Sequence, residues 1–230
     1  MSKIILNDLK INSWLVKARA ALVHIEPLML NEKVFTRSYN TSVITDFKCD
    51  HFFDCKWSYE RGYRFNFKKT VPVLYLACDQ TTASMEIGAR TRKEILAPFL
   101  CSNASKPPYI YVNVKVTGPV LDLTSRAVRR ALNVKLADIL VPTESWDKDM
   151  ETGKWAITHH LGKIVLDNGK FGGILYPSYP AYRFLKLRDK VCLAIFMNKN
   201  TPAMSTPKKP DTILNVIDKG GILKKIGLVF

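Results

Sequence analysis

The pattern of apolar and polar positions predicts helices and strands that interleave along the chain. A 3.6-residue period predicts helices over residues 13–25, 81–90, 125–140 and 155–166. Short apolar runs predict buried strands over residues 71–78, 172–176 and 191–197, and strict alternation predicts a half-buried strand over residues 109–116. Residues 38–60 have no period, which indicates a long loop or irregular strands. Because these elements lack the regular spacing of βαβ units, the pattern favours an α+β fold.

The charge balance of the chain is strongly basic. Its 230 residues include 35 Lys and Arg against 20 Asp and Glu, a formal net charge of +15. Such an excess attracts anions, whether nucleic acid, an acidic membrane or a phosphorylated small molecule. With 47% hydrophobic and 24% charged residues, the composition is that of an ordinary folded protein. The longest apolar run is too short to cross a bilayer, so we expect no membrane partner.

The first residues and the cysteines indicate the compartment. The apolar start at residues 4–6 is interrupted by Asn7 and Asp8, and no small-residue cleavage site follows, unlike a secretory signal. The five cysteines cannot all pair within one chain, and none lies in a CxxC motif. We therefore expect reduced thiols and a cytoplasmic protein.

Two groups of residues are candidate metal ligands. Residues 49–55 hold Cys49, Cys55, a histidine and two aspartates, but zinc sites usually need a second ligand pair elsewhere. His159 and His160 are adjacent and would point to different sides of a helix, which does not suit chelation in the i, i+4 manner. We expect neither a metal nor a resident cofactor.

A cation, a tyrosine and a carboxylate surround the strand predicted at residues 71–78. Arg64 precedes this strand, Tyr75 lies in it, and Glu86 lies on the helix that Asp79 caps, with the tyrosine midway between the other two. Tyr75 and Glu86 can approach one cleft at the C-terminal end of the strand. Taken alone, an exposed arginine, a core tyrosine and a helix-surface glutamate explain these residues equally well.

The same stretch resembles the RES domain, a family named for an arginine, a glutamate and a serine. Four motifs carry the resemblance in the family's order: Arg-Phe-Asn at residues 64–66, Leu-Tyr-Leu-Ala at 74–77, Ala-x-x-Glu ending on Glu86, and Gly-Ile-Leu-Tyr-Pro-Ser ending on Ser178. Leu-Asp-Leu at residues 121–123 and Thr36-Arg37 match two further family segments. The likeness covers roughly residues 34–198. It departs at residues 67–70, Phe-Lys-Lys-Thr, where the family usually places a glycine.

The resemblance implies a single domain with an ADP-ribosyltransferase-like fold, whose mixed, mostly antiparallel β core is flanked by helices. We assign residues 34–200 to this catalytic domain. Residues 1–33 are then an N-terminal helical extension, and residues 201–230 a Pro/Lys linker with a basic apolar tail. These flanking segments are available for dimerisation, partner binding or delivery, and a homodimer is one arrangement that they allow.

The resemblance also implies a cytotoxic enzyme that cleaves the nicotinamide–ribose bond of NAD, with phosphate or water as the acceptor. NAD is then the substrate and inorganic phosphate a candidate co-substrate. Family members are toxins of bacterial toxin–antitoxin pairs, each held inactive by an antitoxin. We therefore expect a cognate antitoxin or immunity protein that covers the active site.

Site roles follow from the same resemblance. Glu86 is expected to stabilise positive charge on the ribose, and Arg64 to hold a pyrophosphate or an incoming phosphate with its fork of donors. Tyr75 is expected to stack on nicotinamide or orient it, and Ser178 to donate to the ribose or to the phosphate nucleophile. Two further side chains are expected to bind substrate: Arg37 and Asn66.

Two alternatives come from other readings of the residues. An ADP-ribosyltransferase that modifies a macromolecule or nucleotide would break the same bond, and product analysis would separate the two reactions. A non-enzymatic protein could bind nucleic acid through an Arg-rich helix at residues 125–140 and a Lys-Lys tail. The charges are spread along the whole sequence, however, and no helix-turn-helix, zinc-finger or RNA-recognition signature is present. NAD cleavage is favoured, and nucleic acid is not expected as a specific partner.

Overall fold

A computed structural model describes residues 8–40, 55–88, 109–142, 155–197, 213–217 and 223–227. The described helices are α1 (Asp8–His24), α2 (Lys56–Arg61), α3 (Gln80–Glu86), α4 (Arg126–Ala131), α5 (Leu136–Ile139) and α6 (Ile157–Asn168), with one π-helical turn (Ala181–Leu185). The described strands are β1 (Leu28–Asn40), β2 (Val73–Ala77), β3 (Tyr109–Asp122), β4 (Gly173–Pro177), β5 (Val191–Phe196), β6 (Ile213–Ile217) and β7 (Leu223–Gly227). No helix in these ranges is long and apolar enough to span a membrane.

The described strands form one mixed sheet in the order β1-β2-β5-β4-β3-β6-β7. The β3–β4 pair is parallel, and the other described pairs are antiparallel. Because β1 pairs with β3 as well as with β2, the sheet curls back on itself. The fold is α+β, with a mixed, mostly antiparallel sheet and flanking helices, as the sequence predicted.

Buried side chains divide into two apolar cores on the two faces of the strands. Ile110, Val112, Val114 and Val116 pack into one core, which confirms the alternation predicted for β3. The other core lies between the sheet and the helices, and its buried members include Trp14, Ala18 and Leu22 of α1 and Leu161, Ile164 and Val165 of α6. The side chains of α1 and α6 therefore line the interior and hold the helices against the sheet.

Two of the elements that differ from the predicted pattern do so for local reasons. The helix predicted at residues 125–140 is two helices, α4 and α5, and Asn133 between them adopts a left-handed conformation with φ of 50°. Leu132 caps the C-terminus of α4, and its carbonyl accepts a hydrogen bond from the indole of Trp14 at 2.8 Å. Residues 28–37 form most of β1, where a register shift between Leu30 and Lys33 interrupts the alternation.

The predicted domain boundaries differ from the structure at both ends. Residue 33 is no boundary, because β1 runs through it and α1 is packed in the core. Residues 213–217 and 223–227 are strands rather than a tail, and β6 pairs with β3, with Tyr109 opposite Ile217. The described parts of both predicted flanking segments thus belong to the sheet or to its core. Residues 201–212 of the predicted linker lie outside the described residues.

The segment that replaces the family's glycine takes a glycine-like conformation. Lys69 has a φ of 58°, which side chains other than glycine rarely adopt. Its backbone N–H donates to the carbonyl of Tyr59 at 2.7 Å, so a hydrogen bond to α2 holds the turn in place. Within residues 67–70, Lys69 thus adopts a backbone conformation that glycine takes more readily than other residues.

Helix α6 approaches the turn at residues 64–66 through Gly162. A Cβ atom at this position would lie 1.9 Å from the carbonyl oxygen of Phe65. We expect Gly162→Ala to lower the free energy of unfolding by about 1–3 kcal/mol, because the turn must move, and this exceeds the gain in helix propensity. Urea unfolding measures the change. The control is Lys163→Ala, which removes an exposed ion pair whose Nζ lies 3.1 Å from Oδ1 of Asp167. This change should lower the free energy of unfolding by about 0.5 kcal/mol. Equal stabilities for the two variants would contradict the prediction.

Candidate functional site

A cleft of about 430 Å³ opens beside β1, β2 and the end of α3. This volume lies within the range of small-molecule binding sites. The structure brings four of the predicted site residues into its lining: Arg37, Arg64, Tyr75 and Glu86. Two predicted residues, Asn66 and Ser178, are buried and do not line the cleft. The six residues therefore divide into a group that borders the cavity and a group that lies behind it.

Glu86 is the last residue of α3 and is held through one carboxylate oxygen. Asp79 caps the N-terminus of this helix, and its side chain accepts from the backbone N–H of Thr82 at 2.7 Å. Oε1 of Glu86 accepts from the hydroxyl of Ser178 at 2.7 Å and from the thiol of Cys192, with 3.3 Å between Sγ and Oε1. No described residue donates a hydrogen bond to Oε2. The carboxylate is thus anchored by one oxygen and keeps the other available to a ligand.

Ser178 supports the carboxylate from behind the cleft. It follows β4 and is fully buried, and its backbone N–H donates to the carbonyl of Lys190 at 2.9 Å. Its hydroxyl donates to Glu86 and accepts from the backbone N–H of Ala181 at 3.4 Å. The structure therefore places Ser178 as a positioning residue for Glu86, although the resemblance implied a direct contact with substrate.

Asn66 holds the turn at residues 64–66 through its side-chain amide. Its Nδ2 donates to the carbonyls of Ser58, at 2.6 Å, and Val71, at 3.2 Å. Its Oδ1 accepts from the backbone N–H of Tyr63 at 3.2 Å and from the hydroxyl of Tyr75 at 3.0 Å. These bonds use both donors and both acceptor positions of the amide. Asn66 consequently positions Tyr75 and the turn, and the structure does not bring it to the cleft as the predicted substrate contact.

Tyr75 lies on β2, and its side chain contacts the turn at residues 64–66. Its hydroxyl accepts from the backbone N–H of Phe65 at 3.0 Å while it donates to Asn66. The ring of Tyr63 packs edge-on against it, with centroids 5.8 Å apart. Burial raises the pKa of the Tyr75 phenol well above its usual value, so the phenol stays protonated. Tyr75 therefore presents a neutral ring to the cleft.

Arg64 is buried and links the turn to the end of α5 and to the segment that follows it. Its guanidinium donates to the carbonyl of Ile139 and, at 3.2 Å, to the carbonyl of Val141. It also lies 5.4 Å from the centroid of the Tyr176 ring. The sequence did not reveal these contacts, since nothing in its spacing relates residue 64 to residues 139–141. Arg64 thus anchors a chain segment and also borders the cleft.

The floor of the cleft contains neutral groups that the sequence analysis did not single out. Tyr176 of β4 and Cys192 of β5 both line the cavity and pair opposite each other in the sheet. Burial is the main cause that raises the pKa of each group, and the nearby Glu86 carboxylate raises it further. Both side chains therefore keep their protons. Cys192 is related to the motif that ends on Ser178 by the register of β4 and β5, which the sequence alone does not give.

The candidate metal ligands do not form a cluster in the described part of the chain. No three of its His, Cys, Asp and Glu side chains form a group that could hold a metal ion. Residues 49–54 lie outside the described residues, and Cys55 is buried. The rings of His159 and His160 both pack against Phe67, at centroid distances of 5.7 and 5.3 Å, although the sequence predicted that they would point to different sides. Aromatic packing accounts for their position.

Comparisons with known proteins concern the family and the fold of the chain. A search of the curated proteins found no match. A chain of the crystal structure of the M. tuberculosis MbcT-MbcA toxin-antitoxin complex is similar in structure, with a TM-score of 0.56 and 15% identity over 86% of this chain and 91% of that chain. At this identity the match concerns the fold. The family model of the RES domain matches residues 46–216, which is more than half of the sequence. The chain belongs to the RES-domain family.

Proposed function

We propose that this protein is a toxin that cleaves the nicotinamide–ribose bond of NAD and transfers the ADP-ribosyl group to phosphate or water. The observation that carries the proposal is the Glu86 carboxylate, which is fixed through Oε1 at the edge of a cleft that Arg64 and Tyr75 also line. Membership of the RES-domain family supports the assignment of this site to NAD.

The proposed reaction needs a negative charge more than it needs a general acid. When the C–N bond breaks, its electron pair passes to the cationic nicotinamide ring, which leaves as a neutral molecule. The ribose becomes oxocarbenium-like, as in glycoside cleavage, and an adjacent carboxylate stabilises that charge. Oε2 of Glu86 suits this role because no described residue donates to it. An oxygen of phosphate or of water then bonds to the ribose carbon, and a water acceptor releases a proton.

The cationic and aromatic side chains of the cleft are proposed to bind the phosphates and the nicotinamide of the substrate. Arg64 and Arg37 both line the cavity. Each guanidinium is proposed to donate to an oxygen of the pyrophosphate or of an incoming phosphate. Arg37 also lies 4.7 Å from the centroid of the Tyr39 ring, which orients it. The neutral ring of Tyr75 offers a surface for nicotinamide. Each of these roles is part of the proposal.

We also infer that an antitoxin covers this cleft. A structurally similar chain comes from a toxin–antitoxin complex, and an NAD-degrading enzyme harms the cell that makes it unless it is inhibited. Trp57 lines the cleft with 55% of its surface exposed, so a partner that closes the cavity would bury a large aromatic side chain. The net charge of +15 would favour an acidic partner surface.

Incubation of the purified protein with NAD tests the proposal. We expect NAD to be consumed and free nicotinamide to appear. Phosphate-dependent turnover with a phosphorylated ADP-ribose product would identify phosphate as the acceptor, and free ADP-ribose would identify water. ADP-ribose attached to a macromolecule would instead indicate a transferase. If folded protein at micromolar concentration leaves NAD intact for hours, with and without phosphate, the proposed function is wrong.

A further inference from the structure

Cys192 occupies a position that the sheet fixes from both sides. It lies on β5, where it pairs with Ala77 of β2 on one side and with Tyr176 of β4 on the other. Its side chain is buried and still borders the cleft. A residue paired on both sides within a sheet has little freedom to move, so the sheet sets the position of its sulfur relative to the cavity.

The sulfur of Cys192 contacts the carboxylate that the proposed reaction uses. Sγ lies 3.3 Å from Oε1 of Glu86, the same oxygen that accepts from Ser178 at 2.7 Å. Burial and the adjacent carboxylate raise the pKa of the thiol well above its usual value, so the group carries a proton that it can donate. A thiolate at this distance would repel Glu86.

Two donors on one oxygen constrain the carboxylate more than one donor does. A single bond from Ser178 would restrain the terminal torsion of Glu86 only weakly, because this torsion is broad in glutamate. A second donor, from β5, restrains the plane of the carboxylate further. Oε1 is thereby held by the protein, which leaves Oε2 as the oxygen available to a ligand.

We propose that Cys192 is a positioning residue for Glu86, whose S–H, together with the hydroxyl of Ser178, keeps Oε2 directed at the ribose carbon. The inference rests on the proposed function, since it assigns a task to the carboxylate of that reaction. The thiol does not contact substrate in this role. Its loss should therefore slow the chemical step and leave substrate binding nearly unchanged.

Steady-state kinetics of NAD cleavage test this role in three variants. We expect Cys192→Ala to lower kcat about tenfold, as for loss of a hydrogen bond to a charged group, with KM for NAD within about twofold of wild type. Cys192→Ser keeps a donor and should recover kcat to within about threefold of wild type. The control is Cys78→Ala, which removes a half-buried thiol outside the cleft lining, 3.4 Å from the backbone nitrogen of Val191. This control should keep the wild-type kcat.

Several kinetic outcomes would overturn the inference. An unchanged kcat in folded Cys192→Ala would do so, as would a loss that falls on KM alone. A Cys192→Ser variant as slow as Cys192→Ala would also count against it, because packing rather than hydrogen bonding would then explain the effect. Thermal unfolding of each variant establishes that the compared proteins are folded.

Infrared spectroscopy tests the contact without using NAD. The S–H stretching band of Cys192 is identified by its loss in Cys192→Ser, and a hydrogen bond to a carboxylate lowers its frequency. In Glu86→Gln the acceptor loses its charge, so the band should move to higher frequency. An unmoved band would overturn the proposed contact. If the wild-type protein cleaves no NAD while the band shifts as expected, the proposed function fails and the thiol–carboxylate contact stands.

Discussion

Replacing Glu86 by glutamine should lower NAD turnover by about 10²- to 10³-fold while the protein keeps its fold. The amide oxygen of glutamine can still accept from Ser178 and Cys192, so the hydrogen bonds that hold the side chain at 2.7 and 3.3 Å can survive. The negative charge that the proposed reaction needs opposite the developing oxocarbenium ion is lost. The effect should therefore appear in kcat, measured as nicotinamide release, more than in KM for NAD.

A control at a carboxylate remote from the cleft isolates this effect. Glu26 has a side chain 88% exposed that lies 3.5 Å from Lys170, and it does not line the cavity. Glu26→Gln should retain the wild-type rate, because an exposed ion pair contributes little and touches no substrate. Unchanged turnover in Glu86→Gln, with a normal thermal unfolding profile, would mean that Glu86 is a structural carboxylate at the end of α3.

The sequence predicted well those strands whose pattern, either strict alternation or a continuous apolar run, is uninterrupted. The alternation at residues 109–116 and the apolar runs at residues 71–78, 172–176 and 191–197 all correspond to strands of the sheet. Strand β1 was not predicted, because the register shift between Leu30 and Lys33 and the left-handed Glu32 interrupt its pattern. A bulge is fixed by the partner strand, here β3, and a local window of sequence does not contain that partner.

Only part of the candidate site could be predicted, because a local stretch of sequence does not show which residues from other elements lie next to it. Motif spacing brought Arg64, Tyr75 and Glu86 together, and the structure places all three at one cleft. The roles of Asn66 and Ser178 depend on which groups their polar atoms meet, and those groups come from other elements. Sequence order indicated that these residues belong near the site. It did not indicate whether each one lines the cavity or supports a residue that does.

Replacing Arg64 by lysine should lower kcat/KM for NAD by about 10- to 100-fold, because at least one charge-assisted hydrogen bond is lost. The guanidinium donates from two nitrogens to the carbonyls of Ile139 and Val141 while it borders the cleft. A single ammonium lacks the planar fork that makes both bonds in this geometry. The lysine variant should also unfold at a lower temperature than wild type, since a buried carbonyl loses its partner.

The matched control is the same substitution three residues earlier in the chain. Arg61 is exposed, lies 4.7 Å from the centroid of the Trp57 ring and does not line the cleft. Arg61→Lys should keep kcat/KM within about twofold of wild type, because lysine retains the charge and can still lie over the ring. If Arg64 binds a phosphate group of NAD, the loss in Arg64→Lys should include a rise in KM for NAD. A lysine variant with nearly wild-type kcat/KM would show that position 64 needs only a positive charge.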